Sequence, residues 1–160
     1  MNKLALAVGG LGLAYAIYRT SRMLAVDNVR GMRNHNPMNV KDSSILWNGE
    51  TGQNLDPVFE EFKHYSDGIR AGAKLLVNYN KLYGLNTVQG LINRYAPPSD
   101  DNPTTAYVQH VADYLGVSPT QPLDVQGSLV QLCKAIIHFE IGAVPFSTWY
   151  IKNSVKELLA

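Results

Sequence analysis

A chain of 160 residues is long enough for one domain with a real core and too short for several. Its formal net charge of +1 excludes the broad basic surface of a nucleic-acid-binding protein, so nucleic acid is not an expected partner. The single cysteine, Cys133, excludes an intramolecular disulfide.

Cofactor and metal signals are missing as well. His35, His64, His110 and His138 are scattered, without zinc spacing. Gly9, Gly10 and Gly12 lie in an apolar run with no preceding strand, so they do not form a phosphate loop. Neither a cofactor nor a metal is expected.

Residues 4–18, LALAVGGLGLAYAIY, contain no charge and are bounded by Lys3 on one side and Arg19 and Arg22 on the other. At about 1.5 Å per residue, a helix of this run falls short of a full ~30 Å hydrocarbon core. Tyr15 and Tyr18 can sit at the interface while the basic residues snorkel outward. Three readings compete: a short membrane anchor, a cleaved signal peptide, or a core helix. A core helix would show a polar face, and Arg19 and Arg22 interrupt any small-residue cleavage site. An uncleaved anchor fits best, with a signal peptide second. The expected organisation is an anchor and the start of a linker over residues 1–26, then one domain over 27–160.

The domain begins RGMRNHNPMNV. Asn34, Asn36 and Asn39 surround Pro37, a composition that favours a tight turn. The same amides can instead line a groove and bond polar ligand groups. A short strand is expected over residues 38–41. Trp47 follows, either as core or as a platform for a sugar ring. Alternation over residues 58–63 predicts a second strand and hence a small antiparallel sheet.

The remainder reads as helices. Ser66 or Asp67 can cap a helix running to Tyr83, with Gly84 as its stop. Thr87 caps a short one through Tyr95, ended by Pro97 and Pro98. Pro103 starts the next, which Gly116 ends. A last helix is expected over residues 147–159.

Between these lies KAIIHFEIGAVPF, residues 134–146. Leu129, Leu132, Cys133 and Ile136 form an apolar stripe, on which Cys133 is a small buried hydrophobe rather than a nucleophile. The stripe continues to Glu140, in the last turn before Gly142 and Pro145. Burial and the partial negative charge of the helix end both raise a carboxyl pKa, and a carboxyl protonated near neutrality can serve as a general acid. The alternative is a surface carboxylate that points into water. The bottom-up picture is mainly α, with a small β part and one suspicious carboxylate.

Two resemblances add to this. KAIIHFEIGAVPFS resembles the catalytic stretch of lytic transglycosylases of the soluble lysozyme-like type, in which an Ile-Ile-x-x-Glu helix ends at the catalytic Glu. Glu140 is the matching position; the usual following Ser is Ile141 here. The ordered set RGMRNHNPMNV, Trp47-x-Gly49, Phe59-x-x-Phe62, DGIRAGAKLL and GLNTVQGLINRYAPP resembles small phage and prophage proteins, some labelled structural virion proteins, whose consensus begins RGIRNNNPGNI. His35 and Met38 stand at its Asn and Gly. Together with the anchor, this points to a virion component of a tailless, membrane-containing phage of the corticovirus type.

The resemblances imply a lysozyme-like domain that cleaves peptidoglycan glycan strands, with Glu140 as general acid and base. Asn34, Asn36, Asn39, Trp47 and Tyr95 would bind substrate. The catalytic Glu of such folds usually precedes the β part; here it follows, and a circular permutation would reconcile the order. A hydrolase would need a second carboxylate, for which Glu50 and Asp56 are the candidates, whereas a transglycosylase needs one. The expected partners are glycan strands, lipid through residues 4–18, and other virion proteins. The expected location is the inner membrane of the virion, with action in the host periplasm. A membrane-anchored structural protein without activity is the competing class. If residues 4–18 anchor the chain, the full-length protein should enter the detergent-rich phase on phase separation. Removal of residues 1–26 should move it to the aqueous phase.

Overall fold

The computed structural model describes residues 26–53 and 55–159. The expected anchor over residues 4–18 lies outside them. Among the described residues no helix is long and apolar enough to cross a membrane.

Among the described residues, six α-helices carry the fold: α1 (Arg30–Arg33), α2 (Tyr65–Tyr83), α3 (Val88–Tyr95), α4 (Thr104–Leu115), α5 (Leu129–Ile141) and α6 (Thr148–Ser154). Short 3-10 turns follow at Pro98–Asp100 and Lys156–Leu158. Ser66 and Asp67, the expected caps of α2, lie inside it, because the helix starts at Tyr65 after His64 with no side-chain cap; other ends follow local chemistry. The Thr87 hydroxyl accepts from the Gly90 amide at 3.1 Å, and the Ser147 hydroxyl accepts from the Tyr150 amide at 3.1 Å. Gly84, Gly116 and Gly142 close α2, α4 and α5 in the left-handed conformation. The helix expected over residues 147–159 is shorter, because the chain tightens into the 3-10 turn after Ser154.

The core is one large cluster around α5 and a small one of Val40, Phe62 and Ala71. Helix α5 supplies Leu129, Leu132, Cys133, Ile136 and Ile137, and packs against α4, α6, α2 and α1. Cys133 is a fully buried free thiol, and burial pushes its pKa up to about 12. A thiol held that far above neutrality is inert, as its place on the apolar stripe implies.

The expected sheet does not form. Among the described residues, two isolated antiparallel bridges stand in its place, Lys41 with Phe59 and Glu50 with Phe62. Backbone bonds keep a fragment of the ladder, from the Glu60 amide to the Val40 carbonyl and from the Asp42 amide to the Val58 carbonyl, and side chains add to it. The Asn36 amide spans the gap, its Nδ2 donating to the Val40 and Glu60 carbonyls at 2.8 and 2.9 Å while its Oδ1 accepts from the Val40 amide. Asp56 accepts from the amides of Val58 and Phe59, Glu50 from Trp47 and Glu61 from Leu55. These side-chain bonds satisfy further backbone groups of the loop.

This bonded loop is pressed onto α2 at two glycines. A Cβ on Gly68 would overlap the His35 carbonyl oxygen, and one on Gly72 would come within 2.7 Å of Met38 Sδ. The DGIRAGAKLL pattern therefore records a close approach of turn to helix. In an open helix, Gly to Ala would stabilise by roughly 0.5–1 kcal/mol. Here the backbone carbonyl cannot move aside, so Gly68→Ala should destabilise by about 1–3 kcal/mol, read as a lower melting temperature.

Candidate active site

Helix α5 ends by bringing Glu140 against the Asn-rich turn, 101 residues earlier in the chain. Asn39 Nδ2 donates to Glu140 Oε2 at 2.7 Å, and the Tyr107 hydroxyl donates to Oε1 at 2.8 Å. Tyr107 is buried on α4 and stacked on Phe139, with ring centroids 3.8 Å apart and planes at 16°. Asn39 is held in the left-handed region at φ 49°, which an Asn tolerates. Gly31 of α1 leaves room for it, since a Cβ there would lie 2.7 Å from Asn39 Oδ1 and 3.0 Å from Ile141 Cδ1. Ile141 thus seats the end of α5 against α1.

Glu140 is half-buried. Burial raises its pKa, and the donors Tyr107 and Asn39 pull it back by favouring the ionised form; the net direction is upward. The expected burial of Glu140 is present in part, and two neutral donors hold its carboxyl at a fixed angle. Asn39 Oδ1 is buried without a partner, so rotating the amide would offer Glu140 an acceptor when the carboxyl is protonated.

Asn39 also lines an open cleft of about 240 Å³ together with Trp47, Tyr95, Tyr79 and Arg94. The Tyr95 hydroxyl donates to the Met38 carbonyl at 2.6 Å, which fixes the turn from the helical side. Trp47 serves in two ways. It packs on Val40, Phe62 and Ala71, and it also forms cleft wall. Its indole N–H is buried without a partner.

Asn34 and Asn36 do not join this group. Asn36 is fully buried and bonded only to backbone. Asn34, 8% exposed, donates to Asp56 Oδ2 at 2.7 Å. Both amides are buried, where they add side-chain bonds to the backbone bond from the Phe62 amide to the Asn34 carbonyl. His35, in the left-handed region at φ 48°, takes a structural role too: its Nδ1 lies 3.0 Å from the Phe62 carbonyl, and its ring meets Tyr65 edge-on at 4.5 Å.

Of the two candidate second carboxylates, Asp56 is already engaged. Arg30 grips it with bonds of 2.6 and 2.5 Å, and that guanidinium, with Asn34 and two backbone amides, holds its pKa well below the usual carboxylate range. Glu50 Oε2 accepts from the Trp47 amide at 2.9 Å, and the Glu50 carboxyl neighbours Glu60. Glu60 went unnoticed in the sequence because it sits on an apparent strand among ordinary alternating residues. It is 2% exposed, and its Oε2 is buried without a partner. Burial, then the Glu50 carboxyl and Asp42, push its pKa up to about 7, against the Ser43 amide that its Oε1 accepts. Among the described residues, no three metal-binding side chains converge.

No family model matches the sequence. Among curated proteins, the chain is 40% identical over 127 residues to "Protein P5" of Pseudoalteromonas phage PM2, an alignment that covers 78% of each chain.

The raised pKa of Glu60 sets a pH dependence. The folded state holds its proton up to about pH 7, whereas an unfolded Glu releases it near 4.5. The resulting stability is fully present below about pH 4.5 and is lost as pH rises through 7. Glu60→Gln does not titrate, so its melting temperature relative to the parent should rise between pH 5 and pH 8 in a calorimetric series.

Proposed function

We propose that this chain, which belongs to the family of protein P5 of phage PM2, is a virion-associated enzyme that cleaves the glycan strands of bacterial peptidoglycan, with Glu140 as general acid and base. The observation that carries this reading is the setting of Glu140: a half-buried carboxyl at a helix end, held on both oxygens by neutral donors, behind an amide that lines an aromatic cleft.

The chemistry follows from that setting. With its pKa raised by burial, Glu140 can give a proton to the glycosidic oxygen as the bond between two sugars breaks. The Tyr107 and Asn39 donors stabilise the carboxylate left behind. That carboxylate then takes a proton from the hydroxyl that attacks the sugar centre. If the hydroxyl belongs to the same sugar, an anhydro ring closes and one carboxyl suffices. Asp56 is engaged with Arg30, and Glu50 is bonded to the Trp47 amide, so the one-carboxyl route fits these residues better than a two-carboxylate hydrolysis. The lysozyme-like fold in permuted order, the membrane anchor over residues 4–18 and the virion inner membrane belong to the same reading. So does action in the host periplasm.

A non-enzymatic structural virion protein is the second reading, and one observation favours it. Both Glu140 oxygens are taken by internal donors, as in a hydrogen-bonded joint between α5, α4 and the turn.

The two readings separate on Glu140→Gln in the full-length protein. Mass analysis of sugars released from peptidoglycan should show a loss of about 10²–10⁴-fold, since a carboxamide cannot supply the proton. Stability should not fall. The raised carboxyl pKa stabilises the fold at acid pH and that contribution is lost as pH rises, so the Gln variant should gain on the parent toward neutrality. An early-melting Gln variant, or unchanged sugar release, would support the structural reading.

Tyr107→Phe gives an independent check. It removes a donor that lowers the Glu140 pKa, so the pH profile of activity should move to higher pH with the fold retained.

A further inference from the structure

The cleft beside Asn39 shares wall residues with two neighbouring depressions. A first depression of about 200 Å³ shares Ile45 and Trp47 with it, and a third of about 610 Å³ shares Tyr79, Arg94 and Pro97. Trp47, Tyr95, Tyr79 and Tyr83 place aromatic rings along this path. At the waist between the second and third depressions stands Arg94. Its guanidinium lies 3.7 Å from the centre of the Tyr83 ring and 5.2 Å from that of Tyr79.

Arg94 is exposed and, among the described residues, has no acidic partner. Its neighbours differ. Lys41, on the same cleft, is neutralised by Asp100 at 2.6 Å, and Arg70, in the first depression, is paired with Asp67 at 3.0 Å. Of the two acids that line the middle depression, Asp100 is therefore taken, and Asp42 makes no ion pair with Arg94. A guanidinium laid on ring faces has lost much of its side-chain freedom, and an exposed one keeps N–H donors for a ligand. That planar fork matches a carboxylate in two parallel hydrogen bonds.

We propose that Arg94 binds a carboxylate carried by the glycan strand and so sets which sugar occupies the waist between these depressions. The inference rests on the peptidoglycan reading and adds a register to it. In such strands every second sugar bears a lactyl group, which ends in a carboxylate or in a peptide that carries its own. Glu140 lies behind Asn39 and is not among the residues that line these depressions, so fixing that sugar at Arg94 sets which of the two alternating glycosidic bonds lies against Asn39, the residue that bonds Glu140. Arg94 is a specificity residue here, distinct from the acid–base group.

The test is binding, read by calorimetry on full-length Glu140→Gln protein, which cannot turn the strand over. The probes are soluble peptide-free strands with free lactyl carboxylates, strands with their stem peptides, and both after conversion of carboxylates to amides. Adding Arg94→Gln should weaken binding of at least one carboxylate form by about tenfold or more and leave the amidated forms unchanged. The strand that responds identifies the source of the carboxylate. Arg94→Lys should recover part of the loss, and the melting temperature should not move. Equal weakening of charged and amidated strands, or no weakening at all, would overturn the role of Arg94 and leave the enzyme reading intact. Failure of the Glu140→Gln protein to bind any strand would overturn both.

Discussion

The close seating of the 34–39 turn on α2 is the constraint on which the site depends. Gly68 and Gly72 let the backbone of the turn reach the helix, and the buried Asn36 amide ties that turn to the loop behind it. Only with the turn fixed at this depth does Asn39 face the end of α5. The Tyr95 hydroxyl on the Met38 carbonyl and the Arg30 grip on Asp56 hold the same segment from two further sides. A small loop with almost no sheet is thereby made rigid by buried polar bonds, which are costly if left incomplete and so select one arrangement.

At Glu140 two opposing effects share one carboxyl. Partial burial favours the neutral acid, and the donors Tyr107 and Asn39 favour the anion. Burial prevails, so the net direction of the shift is upward. Asp56 illustrates the opposite limit. A bidentate guanidinium and three further donors commit it to the anionic form, and it acts as a structural pin. The two acidic residues therefore differ in setting according to whether a cation or a neutral donor faces them.

Glu60 shows a third setting. It is buried beside another carboxyl, with one oxygen bonded to Ser43 and the other without a partner. Its elevated pKa is a property of the loop wall and not of the Glu140 centre. Trp47 spans both parts of the molecule, packed on the small Val40, Phe62 and Ala71 cluster while forming wall for the cleft. The indole is thus core and platform together, two roles the residue type alone leaves open.

What the chain determined by itself was its helices. Apolar spacing, Thr87 and Ser147 as caps, and Gly84, Gly116 and Gly142 as stops are local signals, and local chemistry decides them. Glu140 was legible for the same reason, because a stripe and a helix end are read within a few residues. The strands were not, since alternation records only which side chains face inward. Whether a backbone pairs with another strand or with Asn36, Asp56 and Glu61 depends on contacts from elsewhere in the chain. The partners of Glu140 were also out of reach: Tyr107 looked like one more apolar stripe residue, and three similar asparagines gave no sign that Asn39 alone would turn to it. Tertiary structure decided these points, because a hydrogen bond across 33 or 101 residues leaves no periodic trace in sequence.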